Sequence, residues 1–265
     1  MNLLLPGMYV AADSPLHRLD PRVKMGAALG LMVLPFGVHT LLGSLLLAAL
    51  VAATALLARA PMRALLRTVL GVFWLALLMF FFYFFATPGQ PLITWGGISV
   101  TAEGLAAGAT QVYRICLLVI VASLLTYTTS PTQLAHGLEA LFGPLERVHF
   151  PVREIALVLT ISLRFVPTFF AEIETIFKAQ RARGADFYSG GLWRRLRSLV
   201  PIFVPIFVSA LRRAEELATA MDARGFRSAS RRTRLYRLSL GWHDLAACLT
   251  ILAASLLILG LERWT

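Results

Sequence analysis

Long apolar runs without acidic or basic residues are the feature that most restricts the fold of this chain. The first run is Met25–Ala58, which as a helix would measure roughly 50 Å against about 30 Å for the hydrocarbon core of a bilayer. Basic residues stand on both sides of it: Arg22 and Lys24 before, and Arg59, Arg63 and Arg67 after. A single span would leave one basic cluster outside, against the positive-inside tendency. We therefore predict a hairpin of two spans that turns near residues 35–39.

Three further apolar segments predict additional spans: Val69–Ala86, Leu105–Tyr127 and Leu245–Leu261. The stretch Thr87–Tyr113 contains no Lys or Arg, and several Pro and Gly residues lie in its first part. We predict that this first part, before the span that begins at Leu105, is a loop on the outside. Hydrophobic residues make up 58% of the chain. Soluble domains are usually about 45–50% apolar, so this composition is typical of a membrane protein.

The basic residues are unevenly distributed. Seventeen of the 25 Lys and Arg residues lie between Arg147 and Arg237, and the formal net charge is +11. A basic block of this kind can attract nucleic acid or anionic lipid. No nucleic-acid-binding pattern accompanies it, and basic residues flanking a membrane explain it more simply. We therefore expect contact with the lipid bilayer and none with nucleic acid.

Residues 129–240 are predicted to form helices on the cytoplasmic side. A capping box at Ser130–Gln133 starts the first helix, and apolar residues spaced by three and four recur in Pro151–Gly184 and again up to Met221. Prolines interrupt both of these longer segments, with a bend or break expected near Pro167. As spans, they would place six basic residues in a short outside loop. Amphipathic helices lying partly under the bilayer fit better.

The predicted fold is therefore all-α: a polytopic α-helical membrane protein with about five transmembrane helices and a cytoplasmic-side domain of amphipathic helices. We divide it into an N-terminal transmembrane region (1–128), the cytoplasmic domain (129–240) and a C-terminal transmembrane helix (241–265). Asp20 and Pro21 have the pattern of an N-cap acid followed by Pro at the first helical position. With Arg22, they form a structural N-terminal motif.

The tripeptide Ala-Arg-Gly occurs twice, at Ala182-Arg183-Gly184 and at Ala223-Arg224-Gly225. At the same offset of 41 residues, Glu174 aligns with Glu215 and Ala179 aligns with Ala220. Glycine after a helix and Arg near its end are common by themselves. Two matched copies instead favour two equivalent contacts with two equivalent partner surfaces.

A row of small residues lies on the segment that leads to the second tripeptide. Ala210, Ala214 and Ala218 repeat every four residues. Small side chains at that spacing let two helix backbones approach closely. We predict that this row marks a helix crossing.

Catalytic and nucleotide-binding patterns are missing from the sequence. A standard P-loop needs Gly-Lys followed by Ser or Thr, but the chain's two lysines, Lys24 and Lys178, follow Val23 and Phe177. The five histidines show no metal-ligand spacing, and no GxSxG element supports a serine nucleophile. We predict no catalytic, cofactor-binding or metal-binding residue in this chain.

Several segments together resemble the transmembrane T component (EcfT, including the CbiQ branch) of energy-coupling factor transporters. The similar segments are Asp13–Lys24, Thr128–Thr132, Leu163–Pro167, Ala179–Ala185 and Ala220–Phe226. The resemblance covers nearly the whole chain, and the last two segments match the family's two signatures in order and spacing.

The resemblance implies a non-enzymatic scaffold in the inner (plasma) membrane of a prokaryote. Its expected partners are two ABC ATPase subunits, as a homo- or heterodimer, and a membrane substrate-binding S component for a vitamin or transition metal. ATP and magnesium would be bound by the ATPases. The family grips them through two crossed helices ending in Ala-Arg-Gly, which assigns the contact to Ala182, Arg183, Gly184, Ala223, Arg224 and Gly225. The family's middle helices would present an apolar surface to the S component, with Phe165, Phe169 and Phe170 as candidates, although packing within the domain explains these residues more simply.

Two alternatives remain. The first is a T component dedicated to cobalt or nickel, of the CbiQ kind, instead of one shared among vitamins. The second, from a different class, is an intramembrane enzyme that uses Arg114, His136 or Glu139. A complete ATP-binding permease is contradicted by the missing P-loop.

Overall fold

The computed structural model describes residues 14–89, 91–95, 98–148, 150–185, 191–226 and 241–264. Over these residues the chain forms eight α-helices, one β-hairpin and one 3-10 helix. The elements are α1 (Pro21–Gly37), α2 (Leu41–Leu57), α3 (Met62–Ala86), β1 (Pro91–Trp95), β2 (Ile98–Thr101), α4 (Ala102–Thr128), α5 (Pro131–Phe142), the 3-10 helix (Gly143–Val148), α6 (Val152–Ala182), α7 (Leu192–Ala223) and α8 (Trp242–Trp264).

The chain divides into two compact units. One comprises residues 1–141 and 238–265, and the other comprises residues 142–237. The first unit therefore holds α1–α5, the β-hairpin and α8, and the second holds α6 and α7. The functional division at residues 128/129 and 240/241 stays a prediction.

The helical turn expected within Met25–Ala58 is confirmed, because α1 ends at Gly37 and α2 begins at Leu41, and that both helices cross the membrane stays a prediction. The Thr40 side chain caps α2 by accepting a hydrogen bond from the Gly43 N–H at 3.2 Å. Glu262 of α8 accepts from both the backbone N–H and the hydroxyl of Thr40, each at 2.7 Å. The carboxylate thus fixes the turn to the far end of α8.

The apolar core of the first unit lies between α1, α2, α4 and α8. Its most buried members include Leu47, Val51, Leu117, Val121 and Ile258, none more than 5% exposed. Helix α3 packs closely on α4 at Gly108, where an added Cβ would lie 3.0 Å from the Phe80 carbonyl oxygen. Glycine at this position is what permits the close backbone approach.

The fold class is confirmed: the protein is a polytopic α-helical membrane protein. By length and composition, four helices among the described residues are able to cross a membrane, namely α3, α4, α6 and α8, while α2 is a shorter apolar helix. Helix α6 is in this set although the sequence placed it on the cytoplasmic side. The apolar stripe of an amphipathic helix raises its mean hydropathy, as the apolar residues of a membrane span do. Composition alone therefore does not distinguish a membrane span from an amphipathic helix on the cytoplasmic side.

The stretch between α3 and α4 holds a structure that we did not predict. Strands β1 and β2 pair antiparallel, with Trp95 opposite Ile98. The sequence indicated only a loop here, because its Gly and Pro residues are the stronger local signal.

In the second unit, α6 and α7 are antiparallel neighbours. Gln180, near the end of α6, contacts Pro201 near the start of α7, and Phe169 lies by Arg213 further along α7. Helix α6 runs through Pro167 without a break, and α7 runs through Pro201 and Pro205. Of the bend or break expected at Pro167, the break is wrong, since one lost backbone hydrogen bond did not end a helix of this length, and the bend stays a prediction.

Candidate functional site

The first Ala-Arg-Gly tripeptide ends α6 in a Schellman motif. Ala182 is the last helical residue and Arg183 is the C-cap. The Gly184 N–H bonds the Arg181 carbonyl at 3.0 Å, and the Ala185 N–H bonds the Gln180 carbonyl at 3.1 Å. These two bonds satisfy carbonyls that a helix end otherwise leaves open.

The second tripeptide ends α7 with the same backbone geometry. Arg224 is the C-cap, the Gly225 N–H bonds the Asp222 carbonyl at 2.9 Å, and the Phe226 N–H bonds the Met221 carbonyl at 2.9 Å. Every donor and acceptor lies 41 residues after its counterpart on α6. The sequence repeat is thus a repeat of structure.

The two glycines are required by backbone conformation. Gly184 has φ of +85° and Gly225 has φ of +68°. A Cβ added at either position would meet nothing within 4 Å, so space is not the constraint. The left-handed conformation disfavours any residue with a Cβ by about 1–2 kcal/mol.

Arg183 and Arg224 are both exposed, as are Ala182 and Ala223 beside them. Neither guanidinium forms an ion pair with another described residue. An exposed guanidinium is a planar fork of donors suited to carboxylates and carbonyls. The arrangement therefore offers two identical donor groups, each at the tip of a helix.

Helices α6 and α7 meet at a cluster of polar and aromatic side chains. The Arg213 Nη2 lies 2.9 Å from Glu172 Oε2, and the Ser209 hydroxyl donates a hydrogen bond to Glu172 Oε1. The Arg213 guanidinium also stands 5.9 Å from the centre of the Phe169 ring. One ion pair, one hydrogen bond and one cation–π contact thus join the helices at this point.

A second contact joins the helices near the first tripeptide. The Gln180 side-chain amide donates a hydrogen bond of 3.4 Å to the Pro201 carbonyl. In a regular helix this carbonyl would accept from residue 205, but Pro205 has no N–H to donate. The amide of Gln180 therefore satisfies a backbone acceptor that the proline left open.

The proposed crossing row has mixed surroundings. Ala210 is half-buried, whereas Ala214 and Ala218 are exposed. Pro201, Ser209 and Arg213 of α7 form hydrogen bonds or an ion pair with α6, and none of them belongs to the alanine row. The crossing role of the alanine row stays a prediction.

The N-terminal motif starts α1 as expected. The Asp20 side chain accepts from the Arg22 N–H at 2.9 Å, and Pro21 is the first helical residue. The Asp20 N–H donates to Asp244 Oδ1 at 2.6 Å, which ties the start of α1 to the start of α8. Lys24, which is 6% exposed, donates to the Thr128 carbonyl at 3.1 Å. Asp20, Pro21, Arg22 and Lys24 thus organise one end of the helical bundle.

The three phenylalanines near the middle of α6 differ in exposure. Phe170 is 62% exposed. Phe165 and Phe169 are half-buried and lie with ring centres 6.4 Å apart. Of the three, Phe170 offers the largest exposed fraction to a partner or to lipid.

The residues considered for an intramembrane enzyme are not gathered at one place. The Arg114 guanidinium lies 5.8 Å from the Phe36 ring and 3.4 Å from the Val38 carbonyl. His136 and Glu139 are neighbours on α5, with Nδ1 and Oε2 3.9 Å apart. Arg114 is about 20 Å along α4 from the end that leads into α5. Arg114 instead interacts with the C-terminal end of α1.

The pairing of Glu172 with Arg213 was not predicted from the sequence. A signal was present, because these residues are 41 positions apart, the offset of the tripeptide repeat. Opposite charges at equivalent positions of a repeat are candidates for contact across its symmetry axis.

Comparison with known proteins shows which family this sequence matches. Residues 12–235 match the CbiQ family, described as cobalt transport protein. The energy-coupling factor transporter transmembrane protein EcfT of Acidaminococcus fermentans is 41% identical over 258 residues, covering 97% of this chain and 96% of the relative. The Listeria innocua protein of that name is 40% identical over 265 residues, covering 100% and 98%. The Thermanaerovibrio acidaminovorans protein of that name is 44% identical over 229 residues, covering 86% and 85%.

Proposed function

The chain belongs to the EcfT/CbiQ family of energy-coupling factor transporter transmembrane components, and we propose that it couples ATP hydrolysis by partner subunits to substrate uptake. In this proposal, the two Ala-Arg-Gly helix ends grip two ATPase subunits of the ABC type. Motion of those subunits then passes through α6 and α7 to a membrane S component that carries a vitamin or a metal ion. The transporter acts in the plasma membrane of a prokaryote.

One observation carries the proposal: the two helix ends have the same capped backbone, and each presents an exposed arginine. A homodimer, or a heterodimer of similar subunits, offers two equivalent surfaces to such a pair. Each guanidinium can form a bidentate contact with a carboxylate on its partner.

The proposal places no chemistry in this chain. ATP and magnesium are bound by the ATPases, and the chain itself holds no cofactor. It requires both helix ends to face the cytoplasm, which the concentration of 17 basic residues between Arg147 and Arg237 favours. Helix α6 then lies on the cytoplasmic side despite its length, packed against α7.

A dedicated cobalt transporter is the second candidate, favoured by the description of the matching family. It uses the same helix ends and differs only in its S component. Purification of the native complex, with identification of its subunits and ligand by mass spectrometry, distinguishes a single metal-specific S component from several vitamin-specific ones.

Charge reversal of the two arginines tests the coupling role. We expect Arg183→Glu and Arg224→Glu each to weaken ATPase association by at least about tenfold, because like charges replace attraction at the contact. The double variant should neither co-purify with the ATPases nor support uptake, while membrane insertion stays normal.

Arg147→Glu is the matched control, since Arg147 is an exposed arginine of the same unit outside both tripeptides. It should retain stoichiometric ATPases and uptake. Co-purification of both ATPases with the double variant, together with full uptake, would remove the proposed role.

A further inference from the structure

The ion pair between α6 and α7 joins equivalent positions of the repeat. Glu172 and Arg213 are 41 residues apart, as are Arg183 and Arg224. Each of the paired residues therefore precedes the tripeptide arginine of its own helix by 11 residues. Because α6 and α7 are antiparallel, a contact between equivalent positions lies on an approximate two-fold axis relating the helices.

We call the segment of each helix between the ion pair and its tripeptide arginine an arm. The two-fold axis makes the two arms equal in length. Eleven helical residues span about 16 Å, so each arginine lies about 16 Å from the ion pair, in opposite directions along the two helices. If the contact moved by one turn along either helix, one arm would become about 5 Å longer than the other. The position of the crossing therefore determines where the two arginines stand.

The ion pair is held more firmly than a freely exposed one. The Glu172 and Arg213 side chains are 21% and 33% exposed. Ser209 donates to the second carboxylate oxygen of Glu172, and the Phe169 ring lies against the guanidinium. Partial removal from water strengthens the attraction, and the two additional contacts limit the available rotamers.

We propose that Glu172 and Arg213 are positioning residues that hold the two helix-end arginines at the separation required to engage two ATPase sites together. The proposal rests on the proposed function. Two linked contacts gain from each other only when their spacing matches the spacing of the sites they bind. The ion pair acts through Arg183 and Arg224 and touches no partner itself.

Distance measurement tests the positioning role without any partner subunit. Lys178 and Thr219 are exposed, occupy equivalent positions and lie on the two arms. Spin labels on Lys178→Cys and Thr219→Cys, in a full-length chain whose Cys116 and Cys248 are replaced by Ser, report the arm separation in lipid nanodiscs. We expect one narrow distance distribution from the otherwise unchanged chain.

Charge variants then test whether the Glu172–Arg213 ion pair, and not a neighbouring charge, determines the distance between the labels. Glu172→Arg and Arg213→Glu should each broaden or shift the distribution by several ångströms, about one helical turn at most. The double exchange of both residues should restore the narrow distribution. Arg212→Glu, an exposed neighbour on α7, should leave it unchanged. If a reversal prevents insertion, Glu172→Gln provides a milder variant that keeps the Ser209 hydrogen bond and should broaden the distribution partly.

Uptake measured per ATP hydrolysed provides the second readout, in the complete reconstituted complex. Each single reversal should lower this ratio by about fivefold with the ATPases still bound, and the exchanged pair should recover it. Unchanged distances in the single variants, or restored distances without a recovered ratio, would overturn the positioning role. Failure of the Arg183 and Arg224 experiment would leave the distance result standing, so the two proposals fail separately.

Discussion

The ends of α6 and α7 share one backbone conformation but are supported differently. At the α6 end, the residue three before the C-cap is Gln180, whose amide bonds the Pro201 carbonyl of the neighbouring helix. At the α7 end, the equivalent residue is Met221, and Phe226 follows the glycine, both half-buried. An apolar residue at each of these two positions commonly accompanies a Schellman motif. The shared turn therefore comes from local sequence, whereas its support comes from tertiary contacts on α6 and from apolar residues on α7.

This difference separates what the two ends have in common from what is particular to each. Properties that depend on the glycine and the arginine should respond equally to substitution at both ends. Properties that depend on the contacts supporting one helix end, such as the hydrogen bond of Gln180 to Pro201, should change at that end only.

The largest expected effect concerns the side of the membrane on which both ends lie. Gly97, Ser189 and Ser228 are replaced by cysteine one at a time in a cysteine-free background. Right-side-out vesicles that contain each variant are then treated with an impermeant thiol reagent. We expect labelling at position 97 alone, because the basic cluster keeps the segments after α6 and α7 inside. Positions 189 and 228 should become labelled only after the vesicles are permeabilised. Labelling of position 189 in intact vesicles would place the end of α6 outside. The ends of α6 and α7 could then not both contact cytoplasmic ATPases.

The next effect is expected to be equal at the two ends. Gly184→Val and Gly225→Val should each cost about 1–2 kcal/mol of helix-end stability, because valine resists the left-handed conformation. That cost corresponds to roughly a tenfold loss of ATPase affinity. Affinity measured for each variant checks this, with Gly71→Ala as a control at a glycine that lacks positive φ and has open space. A large loss at one glycine and none at the other would contradict a shared role.

A smaller effect should appear at the α6 end alone. Gln180→Leu removes the hydrogen bond to Pro201, worth about 1 kcal/mol, and should speed amide hydrogen exchange at Gly184 and Ala185 by about fivefold. Exchange at Gly225 and Phe226 should stay unchanged, and the equivalent Met221→Leu should alter neither end. Equal acceleration at both ends would show that the ends are not supported independently.

The sequence predicted the local features of the fold well. The Asp20 cap, the capping box at Ser130 and the hairpin before α2 each depend on residues a few positions apart. The glycine-terminated ends of α6 and α7 belong to the same group, although their role in binding stays a prediction.

Contacts between distant residues were not predictable in the same way. The Glu172–Arg213 ion pair and the Gln180 amide on Pro201 depend on how α6 and α7 align, which helical periodicity does not determine. The apolar stripe of α6 has the same average hydropathy whether it faces lipid or a protein partner. The β-hairpin was not predicted, because the turn-forming Gly and Pro residues in this stretch indicated a loop.

The central claim is that the two helix ends contact equivalent surfaces of two ATPase subunits. Ala182 and Ala223 are exposed and adjacent to the two arginines. Each is replaced separately by the photo-crosslinking residue p-benzoylphenylalanine in the assembled transporter, and the crosslinked peptides are identified by mass spectrometry. We expect both positions to crosslink to corresponding segments of two ATPase subunits. Crosslinks from the two positions to unrelated proteins, or from either one to lipid alone, would contradict the central claim.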